Sequence, residues 1–245
     1  VTGVQTCALP ILFFAAGNLA YFLATDTEHG TEIWQTDGTP AGTSLVVDLV
    51  PGSGSPSLQV QGVVAGRLIA LLTTGSAKEL LSYDPSTRTV NSVLGASVGS
   101  PMTQYSLVGQ TPDRLYFGAN ASSSVQVLWS TDGTSRGTSG NPTLFPDTAQ
   151  SEYTRLVSFA GQIYFTAKTQ ALFRPSLYRA NADLSNPQLV SSRYFRDPRV
   201  CGGILFCASS PDSTNANYRL TSIRSDGTLA ILSAPVPYQD RKSTR

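Results

Sequence analysis

The chain has 245 residues, 17 basic against 16 acidic side chains for a formal charge of +1, 40% apolar residues and only 13% charged ones. That apolar share is enough for a packed core and excludes wholesale disorder. The near-neutral balance lacks the basic excess of a nucleic-acid or membrane-surface protein, and no apolar run approaches the roughly 18 residues of a membrane-spanning helix.

The two ends are read separately from the body. Residues 1–11 and 240–245 resemble translated sequencing-adapter read-through and are expected to be non-native scars, excluded from fold reasoning. Without Asp240, Arg241, Lys242 and Arg245 the formal charge becomes −1. The run from Ala8 to Ala16 also has the look of a signal-peptide core, but it lacks a basic leader. Phe13-Phe14-Ala15-Ala16 is read instead as a first strand.

Residues 12–239 carry an internal repeat, the first thing to seek because it decides the fold. A small turn followed by an apolar strand recurs at Gly17-Asn18-Leu19, Gly66-Arg67-Leu68, Asp113-Arg114-Leu115, Gly161-Gln162-Ile163 and Gly202-Gly203-Ile204, with spacings of 49, 47, 48 and 41. A second anchor, a short strand ending in a large apolar residue and then a turn, passes through Trp34, Leu81, Trp129, Tyr178 and Ile223, with spacings of 47, 48, 49 and 45. Two independent anchors holding one period give five copies. Copy two resolves into strands at Leu58–Val64, Arg67–Thr73, Lys78–Tyr83 and Thr89–Leu94, rich in Val, Leu, Ile, Tyr and Thr and separated by Gly, Pro, Ser and Asp. Helical periodicity is not evident anywhere.

A four-stranded unit repeating near 47 residues predicts an all-β fold, a β-propeller of about five blades, with a solenoid as the runner-up. The expected blades are 12–57, 58–104, 105–152, 153–199 and 200–239. In that architecture the third strand packs on both faces, which explains the adjacent apolar pairs Ile33-Trp34, Leu80-Leu81, Leu128-Trp129 and Leu177-Tyr178 where a one-faced sheet would alternate. Five copies either close into a small ring or form a slice of a larger one.

Glu32-Ile33-Trp34-Gln35-Thr36-Asp37-Gly38-Thr39-Pro40-Ala41-Gly42-Thr43 resembles one repeat of the ELWxTDGTxxGT family, and Leu128 to Thr134 with Gly137-Thr138 matches it partly. Copy five keeps Ser225-Asp226-Gly227-Thr228. The family comprises propeller-like segments of secreted or surface-attached bacterial proteins. The resemblance therefore implies an extracellular or cell-surface location and a binding or scaffolding role. It transfers no catalytic residue, because the motif describes a turn and a strand.

Candidate chemistry is sparse. His29 is the only histidine; zinc needs three or four converging ligands, and a Ser-His-Asp triad would require this same imidazole with no Gly-x-Ser-x-Gly elbow beside it. Asp37-Gly38, Asp132-Gly133 and Asp226-Gly227 lack a calcium-loop spacing and are read as structural turns, in which Asp caps its own backbone. Cys201 and Cys207 are too far apart to bridge if extended, and pair only if Gly202-Gly203 turns tightly. Asn120-Ala121-Ser122 fits a glycosylation sequon.

Arg193, Tyr194, Arg196 and Arg199 form the densest cationic and aromatic patch. It is expected on the connection between blades four and five, on a rim suited to anionic or sugar ligands. The innermost strands expected at Leu12–Ala15, Leu58–Val64, Tyr105–Val108 and Thr154–Phe159 hold no carboxylate, as a propeller glycosidase or lyase would require. The reading is a non-catalytic recognition or scaffolding module for a glycan, protein or matrix partner, with no metal, no cofactor and no nucleic-acid partner. A propeller glycosidase or lyase is the alternative.

Overall fold

The computed structural model describes residues 13–49, 51–53, 57–95, 102–121, 126–146, 156–169, 172, 175–211 and 218–232. Both adapter-like ends, and with them Cys7, lie outside the described residues. Every described element is a β-strand.

The strands fall into five antiparallel four-stranded meanders. The first comprises β1 (Phe14–Ala16), β2 (Leu19–Asp26), β3 (Gly30–Thr36) and β4 (Ser44–Val47). The second holds β5 (Ser57–Val64), β6 (Arg67–Thr74), β7 (Ala77–Asp84) and β8 (Thr89–Leu94). The third holds β9 (Met102–Gln110), β10 (Leu115–Ala121), β11 (Val127–Thr131) and β12 (Ser139–Asn141). A single bridging pair, Lys78 with Met102, joins the second and third into one continuous ladder.

In the fourth, β13 (Phe145–Pro146) and β14 (Val157–Phe159) both pair with β15 (Gln162–Lys168), which continues to β16 (Ser176–Ala180) and β17 (Gln188–Ser191). Its first strand is thus supplied in two pieces. The fifth holds β18 (Tyr194–Cys201), β19 (Ile204–Ser210), β20 (Arg219–Ile223) and β21 (Leu229–Ile231). Three expected boundaries move: the third unit begins at Met102 rather than 105, because β9 pairs with β10 from there, the fifth begins at Tyr194 rather than 200, because Tyr194–Cys201 pairs with β19, and Phe145–Pro146 joins the fourth unit.

Local chemistry sets the hairpins. Ala65-Gly66 joins β5 to β6 with φ of 48° and 75°, and Gly202-Gly203 joins β18 to β19 with φ of 55° and 72°. Two positive φ values in a two-residue loop match the right-handed twist of the flanking strands, and Gly reaches them without a Cβ clash.

Four apolar cores lie between successive sheets. Tyr21 and Ile33 meet Leu68, Ala70 and Tyr83; Ile69 and Leu80 meet Leu115 and Phe117; Tyr116 and Leu128 meet Phe165 and Tyr178; Tyr164 and Leu177 meet Leu205 and Ile223. Two of the adjacent pairs on the third strands, Leu128-Trp129 and Leu177-Tyr178, divide between two cores. Leu128 faces the fourth sheet while Trp129 stacks on Phe117 against the second, ring centroids 6.4 Å apart. Burying each such side chain stabilises by roughly 1.5–3 kcal/mol. Among the described residues no core joins the first sheet to the fifth.

Candidate functional site

The Thr-Asp-Gly-Thr turns after β3 and β11 carry one hydrogen-bond pattern twice. In the first, Asp37 Oδ1 accepts from the Thr39 amide at 2.9 Å and the Thr39 hydroxyl at 2.7 Å. Thr36 Oγ1 accepts from the Gly38 amide, Thr39 Oγ1 from the Gly42 amide, and Thr43 donates to the Thr39 carbonyl. Asp132, Thr131, Gly133, Thr134, Gly137 and Thr138 repeat each bond. A Cβ at Gly42 or Gly137 would land on the Asp37 or Asp132 carboxylate, which accounts for the second Gly of the motif.

These carboxylates are held below their ordinary range. For Asp37 the Thr39 hydroxyl and amide are the cause. For Asp132 partial burial pushes upward, and the Thr134 bonds with the nearby Arg114 guanidinium outweigh it. Asp226 accepts the Thr228 amide at 2.8 Å and is lowered in the same way.

Two of the Asp-Gly turns also touch the preceding sheet. A Cβ at Gly133 would sit 2.9 Å from Arg67 Cδ and from Ser82 Oγ, and one at Gly227 would sit 3.1 Å from Arg179 Nη1. Beside Gly133, between the second and third sheets, a polar groove of about 260 Å³ is lined by Arg67, Asp84, Asn91, Ser92, Thr134 and Ser135. The Arg67 guanidinium pairs with Asp84 at 2.8 Å, and the Ser135 hydroxyl reaches the Ser92 carbonyl. Sequence reasoning missed this groove, whose two walls come from different repeats. One signal was present: Arg67 and Arg114 stand 47 residues apart at one repeat position, and Arg114 likewise reaches its own turn, at Ser130 Oγ and the Gly137 carbonyl.

The expected Arg-Tyr patch does not form as a loop surface. Tyr194, Arg196 and Arg199 lie in β18, with only Arg193 on the connection. Tyr194 and Arg196 are buried, at 4% and 5% exposure. The Arg196 guanidinium donates to the Tyr194 hydroxyl at 2.9 Å and lies over the rings of Tyr194 and Tyr218 at 5.0 and 5.4 Å. Strand pairing drives this correction, because alternation sends the residues into the sheet's packing rather than outward along a loop. Arg193 Nε is also buried, without a hydrogen-bond partner among the described residues. Arg199 stands roughly 16 Å along the strand from Tyr194, at about 3.3 Å per residue, exposed and paired with Asp197 at 3.1 Å. Asp197, at positive φ in the β18 bulge, is the one carboxylate on the first strands of the five units among the described residues.

His29 closes the β2–β3 hairpin. Its Nδ1 pairs with Asp26 Oδ2 at 2.9 Å, while Asp26 Oδ1 accepts the His29 and Glu28 amides. The hydrogen bond with Asp26 raises the imidazole pKa and lowers that of the carboxyl. Gly202-Gly203 does turn tightly, yet both thiols stay free: Cys201 is exposed, whereas Cys207 is buried in the core between the fourth and fifth sheets, its pKa pushed up to about 12 by desolvation. The sequon residue Asn120 is buried, its Oδ1 accepting the Thr103 and Gln104 amides. No group of three or more His, Cys, Asp or Glu side chains placed to hold a metal occurs among the described residues.

No family model matches the chain, and no curated protein matches it by sequence. Its fold is similar to that of a prolyl endopeptidase, with a TM-score of 0.54 at 12% identity over 94% of this chain and 36% of that one. TolB from Acinetobacter baumannii aligns at a TM-score of 0.43 and 13% identity, over 89% of this chain and 53% of that one. A puromycin hydrolase aligns at 0.46 and 11%, over 95% and 48%. The chain spans about half or less of the length of these proteins. Strand order, inter-sheet cores and the prolyl endopeptidase likeness define an all-β, propeller-like fold built of four-stranded antiparallel sheets.

Proposed function

We propose that the chain is a non-catalytic recognition or scaffolding module, five propeller blades of the ELWxTDGTxxGT type from a secreted or cell-surface bacterial protein, holding a glycan or protein partner at its rim. The observation that carries the reading is the use made of the motif carboxylates. Asp37, Asp132 and Asp226 each accept hydrogen bonds inside their own turn, and Asp197 pairs with Arg199. Carboxylates anchored in this way shape a surface, whereas acid–base cleavage of a glycosidic bond needs two facing each other across the substrate. The groove of Arg67, Asp84, Asn91, Ser92, Thr134 and Ser135 offers hydroxyl, amide and ion-paired groups suited to the hydroxyls of a sugar.

The test is a glycan and matrix-protein array probed with the whole chain, alongside turnover assays on chromogenic glycosides and peptidyl amides. Saturable binding that Asn91→Ala and Ser135→Ala weaken by about tenfold, with no turnover, supports the reading. Multiple turnovers on any of these substrates would overturn it.

A further inference from the structure

The seam between the third and fourth sheets shows how the turn after a third strand is seated on the sheet before it. Tyr116 donates its hydroxyl to the Ala182 carbonyl at 2.9 Å, Ser139 its hydroxyl to the Asp183 carbonyl at 3.3 Å, and Asn141 its amide to the Leu184 carbonyl at 3.1 Å. Three donors of the third sheet thus meet three consecutive carbonyls of the fourth. Between the fourth and fifth sheets one large side chain fills the same place. Arg179 donates Nε to Gln188 Oε1 at 3.0 Å, and its Nη1 lies 3.1 Å from where Gly227 would carry a Cβ.

The seam between the second and third sheets lacks this closure. By strand register, Tyr116, Ser130, Ser139 and Asn141 correspond to Ile69, Ser82, Asn91 and Leu94, and Arg179 also corresponds to Ser82. Ile69 and Leu94 carry no donor, and Ser82 is too short to reach as Arg179 does. Here one side-chain hydrogen bond crosses between the sheets among the described residues, from Ser135 Oγ to the Ser92 carbonyl at 3.3 Å. Arg114 holds Ser130 Oγ and the Gly137 carbonyl, whereas Arg67, at the same repeat position, turns to Asp84. Ser82, 1% exposed, is left with a buried Oγ that has no hydrogen-bond partner among the described residues. What stays open is the groove of about 260 Å³ beside Gly133.

We infer, resting on the recognition reading above, that this groove seats one neutral sugar unit, held by its hydroxyls as the terminal unit of a glycan. The open seat calls for a ligand dense in groups that both donate and accept, as hydroxyls do. They donate toward Asp84 and Ser135 and accept from Arg67 and the Asn91 amide. Charge selects a neutral ligand: the lining holds one cation and one carboxylate, paired at 2.8 Å, so Arg67 is already matched and Asp84 repels a second anion. Size selects a single unit, because the volume falls just below the roughly 300–1,000 Å³ of pockets for drug-sized ligands. No aromatic or aliphatic side chain lines the groove, so recognition is polar throughout. A ligand of about a dozen non-hydrogen atoms held in this way binds in the millimolar range.

A heteronuclear NMR titration of the whole chain tests the inference, with the methyl glycosides of glucose, galactose and mannose each taken to about 50 mM, and with methyl glucuronoside and inorganic phosphate as anionic probes. Expected are saturable shifts for at least one neutral glycoside, concentrated at the amides of Asp84, Asn91, Ser92 and residues 133–135, and binding about tenfold weaker in Asn91→Ala. Asp84→Asn removes the repelling charge and narrows the preference for the neutral sugar over the glucuronoside by about tenfold, a change of selectivity that loss of a merely structural carboxylate would not produce. Should that variant lose its dispersed spectrum, Ser135→Lys, which adds a cation at an exposed edge of the groove, reads the same preference. Glucuronoside or phosphate bound as tightly as the neutral sugars, shifts centred elsewhere, or no saturable binding of any of the three overturns the inference. Glycan-array binding that Asn91→Ala leaves untouched also overturns it while the recognition reading stands, whereas turnover of the chromogenic glycosides overturns that reading itself.

Discussion

Asp132→Ala isolates what the Asp-Gly turn contributes. The carboxylate accepts two hydrogen bonds, from the Thr134 amide at 2.8 Å and the Thr134 hydroxyl at 2.7 Å, in a turn whose Gly133 packs against Arg67 and Ser82 of the neighbouring sheet. Hydrogen bonds to a charged partner contribute about 1.5–3 kcal/mol each when buried, and partial solvation of this turn brings each down to about 1–2 kcal/mol, for a loss of about 2–4 kcal/mol. With a urea m-value near 3 kcal/mol/M, the unfolding midpoint falls by about 1 M. Asp37→Ala removes the same two bonds from an exposed turn and costs less. A lowered carboxylate pKa adds stability above its unfolded value, near 3.9, and that stability is lost as pH falls through the folded value. The gap between wild type and Asp132→Ala therefore narrows below about pH 4. An Asp132→Ala midpoint within 0.2 M of wild type (about 0.6 kcal/mol at that m-value), or a larger loss in Asp37→Ala, refutes this account.

Three further outcomes follow from the same geometry. Gly38→Ala meets open space and pays only the strain of a φ of 92°, about 1–2 kcal/mol, whereas Gly133→Ala also meets Arg67 and Ser82 and loses about 1–2 kcal/mol more, read as the difference in thermal midpoints. The His29 imidazole titrates above 6.5 by NMR and returns toward that value in Asp26→Asn; the stability this pair adds is complete between about pH 4 and 6.5, disappears as pH rises through the folded imidazole pKa, and is lost again as pH falls through the lowered Asp26 pKa. In a Cys7→Ser background, a thiol reagent labels Cys201 within minutes, and labels Cys207 only on unfolding, because Cys207 is 2% exposed with its pKa near 12.

Much of the fold was legible because packing on two faces leaves a mark in one dimension. Leu128-Trp129 and Leu177-Tyr178 break the alternation of a half-exposed sheet, and the two members of each pair enter different cores. The strands of the second unit fall within a residue of their expected limits. The Arg-Tyr segment misled for a local reason: expected on the connection between blades four and five, it instead pairs as β18, with Asp197-Pro198 absorbed as a bulge and pairing kept on either side. The groove at Arg67 was hidden because its walls lie about one repeat apart, and only superposing the copies brings them together.

The backward seating of the Asp-Gly turns gives the stack a direction in time. Gly133 rests on Arg67 and Gly227 on Arg179, so each turn closes against residues synthesised before it. On a ribosome, a newly extruded repeat meets a finished surface and need not wait for the one behind it, which keeps exposed sheet edges short-lived during translation.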